Sequence, residues 1–276
     1  MIKIMVDSSA DCREEQNVYD ILVPLTVRLD GKSYLDGVDL NADKFYSLLL
    51  QTEDFPQTSQ PSPEDFAKHF RRAKENGDEI LYFSLSSALS GTYQSACIAK
   101  EMTEYDGIYI IDSKAATYLI AILAKYARSL VEQGQAAARI AEECEALKSR
   151  IKVLAGLDTL EYLYRGGRLS RASAAVGQVA GIKPIVTINE EGGVSAGSKA
   201  IGVPRAMKAI LDRLGTYALD ESFPLYSVCT CGTENADKFE QKLAAAGYAT
   251  AGRRQVGSII GAHVGPGVYG VIFVTK

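Results

Sequence analysis

Three short stretches of this chain combine hydroxyls, glycines and a histidine in a way that an apolar core does not require. They are Thr58-Ser59-Gln60-Pro61-Ser62, Leu89-Ser90-Gly91-Thr92-Tyr93-Gln94-Ser95, and Gly261-Ala262-His263-Val264-Gly265-Pro266-Gly267. Hydroxyls supply neutral donors, and glycine lets a ligand approach the backbone closely. Histidine can donate to a carboxylate, whose charge raises the ring's pKa and strengthens the pair. If the three stretches converge, they form a small polar pocket suited to one anionic head group on an otherwise apolar ligand. Each stretch also has a plainer reading. Ser90-Gly91-Thr92 follows a strand and opens a helix, so free N–H groups face the loop, yet Ser90 could simply cap that helix. Thr58 and Ser59 precede a capped helix, where hydroxyls commonly do turn chemistry. His263 sits in a glycine-rich turn, where it could bond a loop carbonyl. The other histidine, His69, lies among Lys68, Phe70, Arg71 and Arg72 and reads as a surface residue.

Several function classes can be set aside. With 30 Lys+Arg against 34 Asp+Glu, the net charge of -4 leaves no footprint for nucleic acid. Five cysteines, at positions 12, 97, 144, 229 and 231, are too sparse for a disulfide scaffold and fit a cytoplasmic setting. Cys229 and Cys231 lack companions for a four-ligand site, so no metal is expected. The first residues are too quickly charged for a signal peptide, and the apolar run Tyr118–Ala124 is soon followed by Lys125 and Arg128. Ser90 and His263 could be read as nucleophile and base of a hydrolase acting on acyl esters. Against that, Leu89-Ser90-Gly91 is no Gly-x-Ser-x-Gly elbow and no third member can be named. Nucleotide-binding glycine motifs are also missing.

The elements that must position these residues alternate strand and helix. Ile2–Val6, Ile21–Leu29, Ile80–Phe83 and Ile108–Ile111 read as strands. Helices are expected over 41–51, from Ser62-Pro63-Glu64-Asp65 onward, over Ser90–Tyr105 and over Lys114–Gln133. Repeated strand–turn–helix units predict a parallel α/β domain that binds ligands at the carboxyl ends of its strands. From about Ile151 adjacent strands appear without intervening helices, which predicts a second α/β domain with a mixed or antiparallel sheet. The expected fold is thus α/β in two domains, residues 1–152 and 153–276, with the ligand between them.

Asp7-Ser8-Ser9-Ala10-Asp11, Thr58-Ser59-Gln60-Pro61-Ser62, Ser86-Ser87-Ala88-Leu89-Ser90-Gly91-Thr92-Tyr93-Gln94-Ser95, Asp112-Ser113 and Leu163-Tyr164-Arg165-Gly166-Gly167-Arg168-Leu169-Ser170 together resemble the DegV family, as does Val23-Pro24-Leu25-Thr26-Val27. The resemblance runs in family order over the whole chain. It extends to the FakB subunits of bacterial fatty acid kinase, which are not catalysts alone. They bind a long-chain fatty acid and present it to an ATP-dependent fatty acid kinase protein. The resemblance implies that Thr58, Ser90 and His263 hold the carboxylate, with Ser59, Gly91 and Thr92 as further head-group loop candidates. Tyr118, Leu119 and Ile122, in an apolar helix, are candidates for the acyl-tunnel wall. Leu119 and Ala121 replace the small residues common at 119 and 121, which predicts a chain preference other than straight palmitate. Arg165, Arg168 and Arg171 are candidates for partner docking, and Ile201 stands where relatives often carry an arginine. No cofactor beyond the bound acid is implied, and there is room for transient membrane contact.

Overall fold

A computed structural model describes residues 1–15, 17–169 and 181–276. Its first part runs β1 (Ile2–Asp7), a 3-10 turn (Ser8–Ala10), β2 (Ile21–Val23), β3 (Thr26–Leu29), β4 (Lys32–Leu35), α1 (Ala42–Leu49) and β5 (Gln57–Ser59). It continues with α2 (Pro63–Asn76), β6 (Glu79–Ser84), α3 (Thr92–Thr103), β7 (Ile108–Asp112), α4 (Tyr118–Glu132) and α5 (Ala137–Lys148). Strands β2-β1-β6-β7 form a parallel sheet, and β4-β3-β5 a small antiparallel one. The parallel strands are apolar on both faces because both are covered. Met5, Ile80 and Tyr82 pack with Phe66, Phe70 and Ala96 of α2 and α3. Ile4, Val6, Leu81 and Phe83 face the opposite layer, which holds α4 and α5.

The expected strand Ile21–Leu29 is two strands in two sheets. Pro24 has no N–H to continue a ladder, and the chain turns there while Leu25 donates to the Ser8 hydroxyl at 3.0 Å. The turn matters, since Val27 of β3 pairs with Thr58 of β5 and so sets that residue's position. Helix α4 starts at Tyr118 instead of Lys114. Lys114 and Thr117 have φ of 51° and 53°, values incompatible with a right-handed helix.

The second part comprises β8 (Ile151–Gly156), α6 (Glu161–Arg165), β9 (Ile182–Ile188), β10 (Val194–Ile201), α7 (Val203–Leu214) and β11 (Leu225–Cys229). It ends with α8 (Glu234–Ala245), β12 (Thr250–Gln255), α9 (Ser258–Val264) and β13 (Tyr269–Val274). The sheet order is β10-β9-β8-β13-β11-β12, antiparallel except for the β11–β12 pair. One face, with Leu154, Val271, Phe273 and Cys229, packs on α7 and α8. From the other face, Tyr226, Val228, Ile272 and Val274 join the same apolar cluster as α4 and the parallel sheet. Helix α4 is therefore covered on two sides, as its nearly all-apolar first turns require. Among the described residues, no helix is long and apolar enough to cross a membrane and no cluster of potential metal ligands occurs.

Candidate functional site

Between the two large sheets lies a cavity of about 360 Å³ with a polar end and an apolar body. Thr58, Ser59, Ser90, Arg168 and His263 line the polar end. The apolar walls come from both sides. Leu25, Leu85 and Ala116 face Val153, Ala155, Val186 and Val228 of the mixed sheet. The three stretches singled out by their composition thus reach one place.

Each polar group is set by its own element. Thr58, on edge strand β5, pairs its hydroxyl with His263 Nε2 at 2.8 Å. Ser90 lies in the turn before α3, its hydroxyl 2.8 Å from that of the fully buried Thr92, whose N–H also points at it. Thr92 supports Ser90 from behind; neither Thr92 nor Gly91 lines the cavity. Gly91 sits under the Gln60 amide, where a methyl group would come within 2.1 Å of Oε1, and Gln60 in turn donates to Ser95 at 3.0 Å. The turn carrying Ser90 is tied down by Ser87, whose N–H donates to Asp112 at 3.1 Å, and by Ser86, whose hydroxyl donates to the Gly192 carbonyl at 2.9 Å.

His263 lies in the last turn of α9, not in the open turn that its glycine neighbours predict. Gly265 ends the helix with φ of 74°. Helix α9 is pinned at its other end. Asp36 accepts from the Ser258 hydroxyl, Tyr46 donates to the Val256 carbonyl at 2.9 Å, and the Gly257 backbone donates to Asp11. These contacts give Asp11 a purpose that sequence reasoning missed: with Asp36 and Tyr46 it anchors the helix that delivers the histidine.

The His263 ring is 8% exposed, and its Nδ1 has no hydrogen-bond partner among the described residues. A methyl group on Gly166 would approach Nδ1 to 2.2 Å, so the Gly166-Gly167 turn is glycine where the ring packs against it. Arg168 does not reach outward. Its guanidinium donates to the carbonyls of Leu89 at 2.9 Å and Gly166 at 2.5 Å and lines the cavity. Burial, helped by the Arg168 charge, pushes the His263 pKa down to about 4. Arg165 stacks on Phe55, 3.9 Å from the ring centroid, and pairs with Glu161. Arg171 lies outside the described residues. Ile201 is 66% exposed at the end of β10.

Tyr118, Leu119 and Ile122 do not line the cavity; Ala116 and Thr117, just before α4, do. The left-handed backbone at Lys114 and Thr117 delays the helix, which turns Tyr118 and Leu119 into the shared core instead.

The His263 shift has a consequence for stability. Its folded pKa lies below the ordinary value of about 6.5, so the unfolded chain takes up the proton first. Its contribution is complete above about pH 6.5 and is lost as pH falls toward 4, by up to about 3 kcal/mol. Asp11, raised by burial to about 7, acts in the opposite sense over this window. The His263 share is therefore read as a difference. In urea unfolding, the wild type should lose more stability between pH 7 and 4.5 than His263→Gln does; equal losses would contradict the assignment.

Residues 1–276 match a family model described as an uncharacterised protein of the DegV family. The chain belongs to the DegV family. It is 35% identical over 284 residues to a DegV domain-containing protein of Caldanaerobacter subterraneus subsp. tengcongensis, covering 100% of this chain and 99% of the relative. Among solved structures, a DegV family protein from Thermus thermophilus described as binding fatty acid is 31% identical, with a TM-score of 0.88 over 100% of this chain and 99% of that one. The Streptococcus pneumoniae fatty acid kinase (Fak) B3 protein, loaded with linoleic acid, shares the DegV fold. Its TM-score is 0.87 at 22% identity, over 100% of both chains.

Proposed function

We propose that this DegV protein binds one long-chain fatty acid in the cavity and presents its carboxylate to an ATP-dependent fatty acid kinase protein in the cytoplasm. In this reading Thr58, Ser90 and His263 hold the carboxylate. The acyl chain lies between an N-terminal unit, 1–152, and a C-terminal unit, 153–276. The observation that carries it is the joining of one polar end, made by hydroxyls, His263 and Arg168, to an apolar body in a single cavity. A chain of roughly fourteen methylenes contributes on the order of 11 kcal/mol gross, against an association cost of about 4–15 kcal/mol. The apolar body therefore supplies affinity, and the head-group residues supply orientation. The hydroxyls of Thr58 and Ser90 add no charge of their own, and the Arg168 guanidinium at the same end is held by the carbonyls of Leu89 and Gly166. Phosphoryl transfer needs a metal-bound nucleotide, which the kinase partner brings. Arg165 is the exposed member of the basic stretch and the docking candidate among the described residues.

The hydrolase reading fits less well. His263 Nε2 meets Thr58, and the Ser90 hydroxyl meets Thr92, so no nucleophile–base pair is formed. Native mass spectrometry of the purified protein tests the proposal, with an ester assay beside it. A retained fatty acid and no ester turnover are expected, whereas turnover without a retained acid would favour the hydrolase. With a fatty acid kinase and ATP-Mg added, acyl phosphate should form, and Ser90→Ala should slow it by about tenfold or more through loss of a hydrogen bond to a charged group. A variant phosphorylated at the wild-type rate would remove Ser90 from the site.

A further inference from the structure

Along both walls, residues that line the cavity give way to residues that line a second hollow, with two tyrosines at the changeover. On β11, Val228 lines the cavity. Tyr226, two residues earlier on the same face, lines a separate groove of about 570 Å³. The facing layer repeats this order. Ala116 and Thr117 line the cavity, and Ile122, Lys125 and Tyr126 of α4 line the groove. Tyr118 falls between the two sets. Its ring meets that of Tyr226 edge-on, with centroids 4.8 Å apart and planes at 67°.

The sheet beneath steps up at the same place. One rung sets Gly270 between Ala155 and Val228; the next sets Ile272 between Val153 and Tyr226. Val153, Ala155 and Val228 still line the cavity, whereas Ile272 and Tyr226, the larger members of the second rung, do not. The tyrosine pair is also held more firmly than core packing alone requires. The Tyr118 hydroxyl contacts Glu15 and Lys125, and Lys125 pairs with Glu15. The Arg254 guanidinium lies 4.7 Å and 4.8 Å from the Tyr118 and Tyr226 centroids and pairs with Glu15 at 3.0 Å. Cations stacked on both rings resist rotation of either one.

We infer that the Tyr118–Tyr226 pair is the end wall that sets the longest acyl chain this cavity accepts. The inference rests on the fatty-acid reading above and adds a specificity-determining residue, Tyr226. On this inference, removing its ring opens the cavity toward the groove, which Ile122, Tyr126 and Phe223 help to line.

The test exposes wild type, Tyr226→Ala and the milder Tyr226→Leu to an equimolar mixture of saturated acids of graded length. Retained acids are then identified by native mass spectrometry and by extraction with chromatography. Each methylene newly buried is worth about fourfold in retention, so an acid two carbons longer than the wild-type favourite should gain on the order of tenfold in Tyr226→Ala. Tyr226→Leu should shift the same way by less, and it carries the test alone should the alanine variant fail to fold. An unchanged length distribution in a folded variant that still binds acid overturns the end wall while leaving the fatty-acid reading intact. A wild type that takes up no acid of any length overturns both.

Discussion

Asp7→Ala should cost roughly 3–5 kcal/mol of folding stability, a large share of the roughly 5–15 kcal/mol that a typical protein possesses. Asp7 is fully buried at the end of β1. Its Oδ1 accepts from the Ser9 N–H at 3.1 Å and from the Ser9 hydroxyl at 2.5 Å; its Oδ2 accepts from Tyr82 and from the Leu85 N–H at 2.9 Å and 2.8 Å. Hydroxyls can rotate toward other partners, but the two backbone N–H groups cannot. Alanine leaves both facing a void, at about 1–3 kcal/mol each before the lost packing is counted. Asp7→Asn should fall between, because its amide nitrogen must face one pair of donors. Burial raises the Asp7 pKa despite these bonds. The folded state therefore holds the proton more tightly, and the Asp7 contribution is greatest at low pH and declines as pH rises through the folded pKa. Urea unfolding of the three proteins at neutral pH checks the ranking; an alanine variant within 1 kcal/mol of wild type would show the carboxylate to be dispensable.

Asp7 also shows where sequence reasoning reached its limit. The strand β1 was legible from its continuous apolar run, and β6, β7 and α2 from similar local patterns. The capping box at Ser62 was legible because capping is local: Ser62 and Asp65 exchange bonds within one turn. What Asp7, Asp11 and Asp36 do was not legible, since their partners lie far along the chain at Leu85, Gly257 and Ser258. Helix α5 and strand β12 were not anticipated. β12 carries Arg253 and Arg254 in a strand, and only the tertiary partners Glu240, Asp237 and Glu15 explain them. The polar end of the cavity could be guessed because hydroxyls and histidine stand out in an apolar background. Its apolar body could not, because valines lining a cavity and valines filling a core have the same sequence pattern. That is why Leu119 and Ile122, expected along the wall, pack in the core, while Val153, Ala155 and Val228 line the cavity.

Ala155→Phe should abolish fatty-acid retention while leaving the protein folded, in contrast to Ser90→Ala. Ala155 is 6% exposed on β8, and beside it on the floor lies Gly270, where a methyl group would come within 2.9 Å of the Ala155 side chain. The backbone there has no room for two side chains, so the free space lies above Ala155, in the cavity. A phenylalanine ring enters that space, at a cost of about 1–3 kcal/mol of strain. It displaces on the order of five methylenes of the acyl chain, worth about 4 kcal/mol or close to a thousandfold in affinity. The head-group residues cannot compensate, since Thr58, Ser90 and His263 are neutral or weakly basic and the Arg168 guanidinium is already bonded to two backbone carbonyls. The two variants thus separate the two jobs assigned to the cavity. Ala155→Phe should lose the bound acid and, with it, all substrate for a kinase. Ser90→Ala should keep the acid and present it poorly. Thermal unfolding establishes that Ala155→Phe is folded, and native mass spectrometry reads its ligand. A folded Ala155→Phe that still carries wild-type amounts of fatty acid would place the acyl chain somewhere other than above β8, and the division of labour between apolar body and polar end would fall with it.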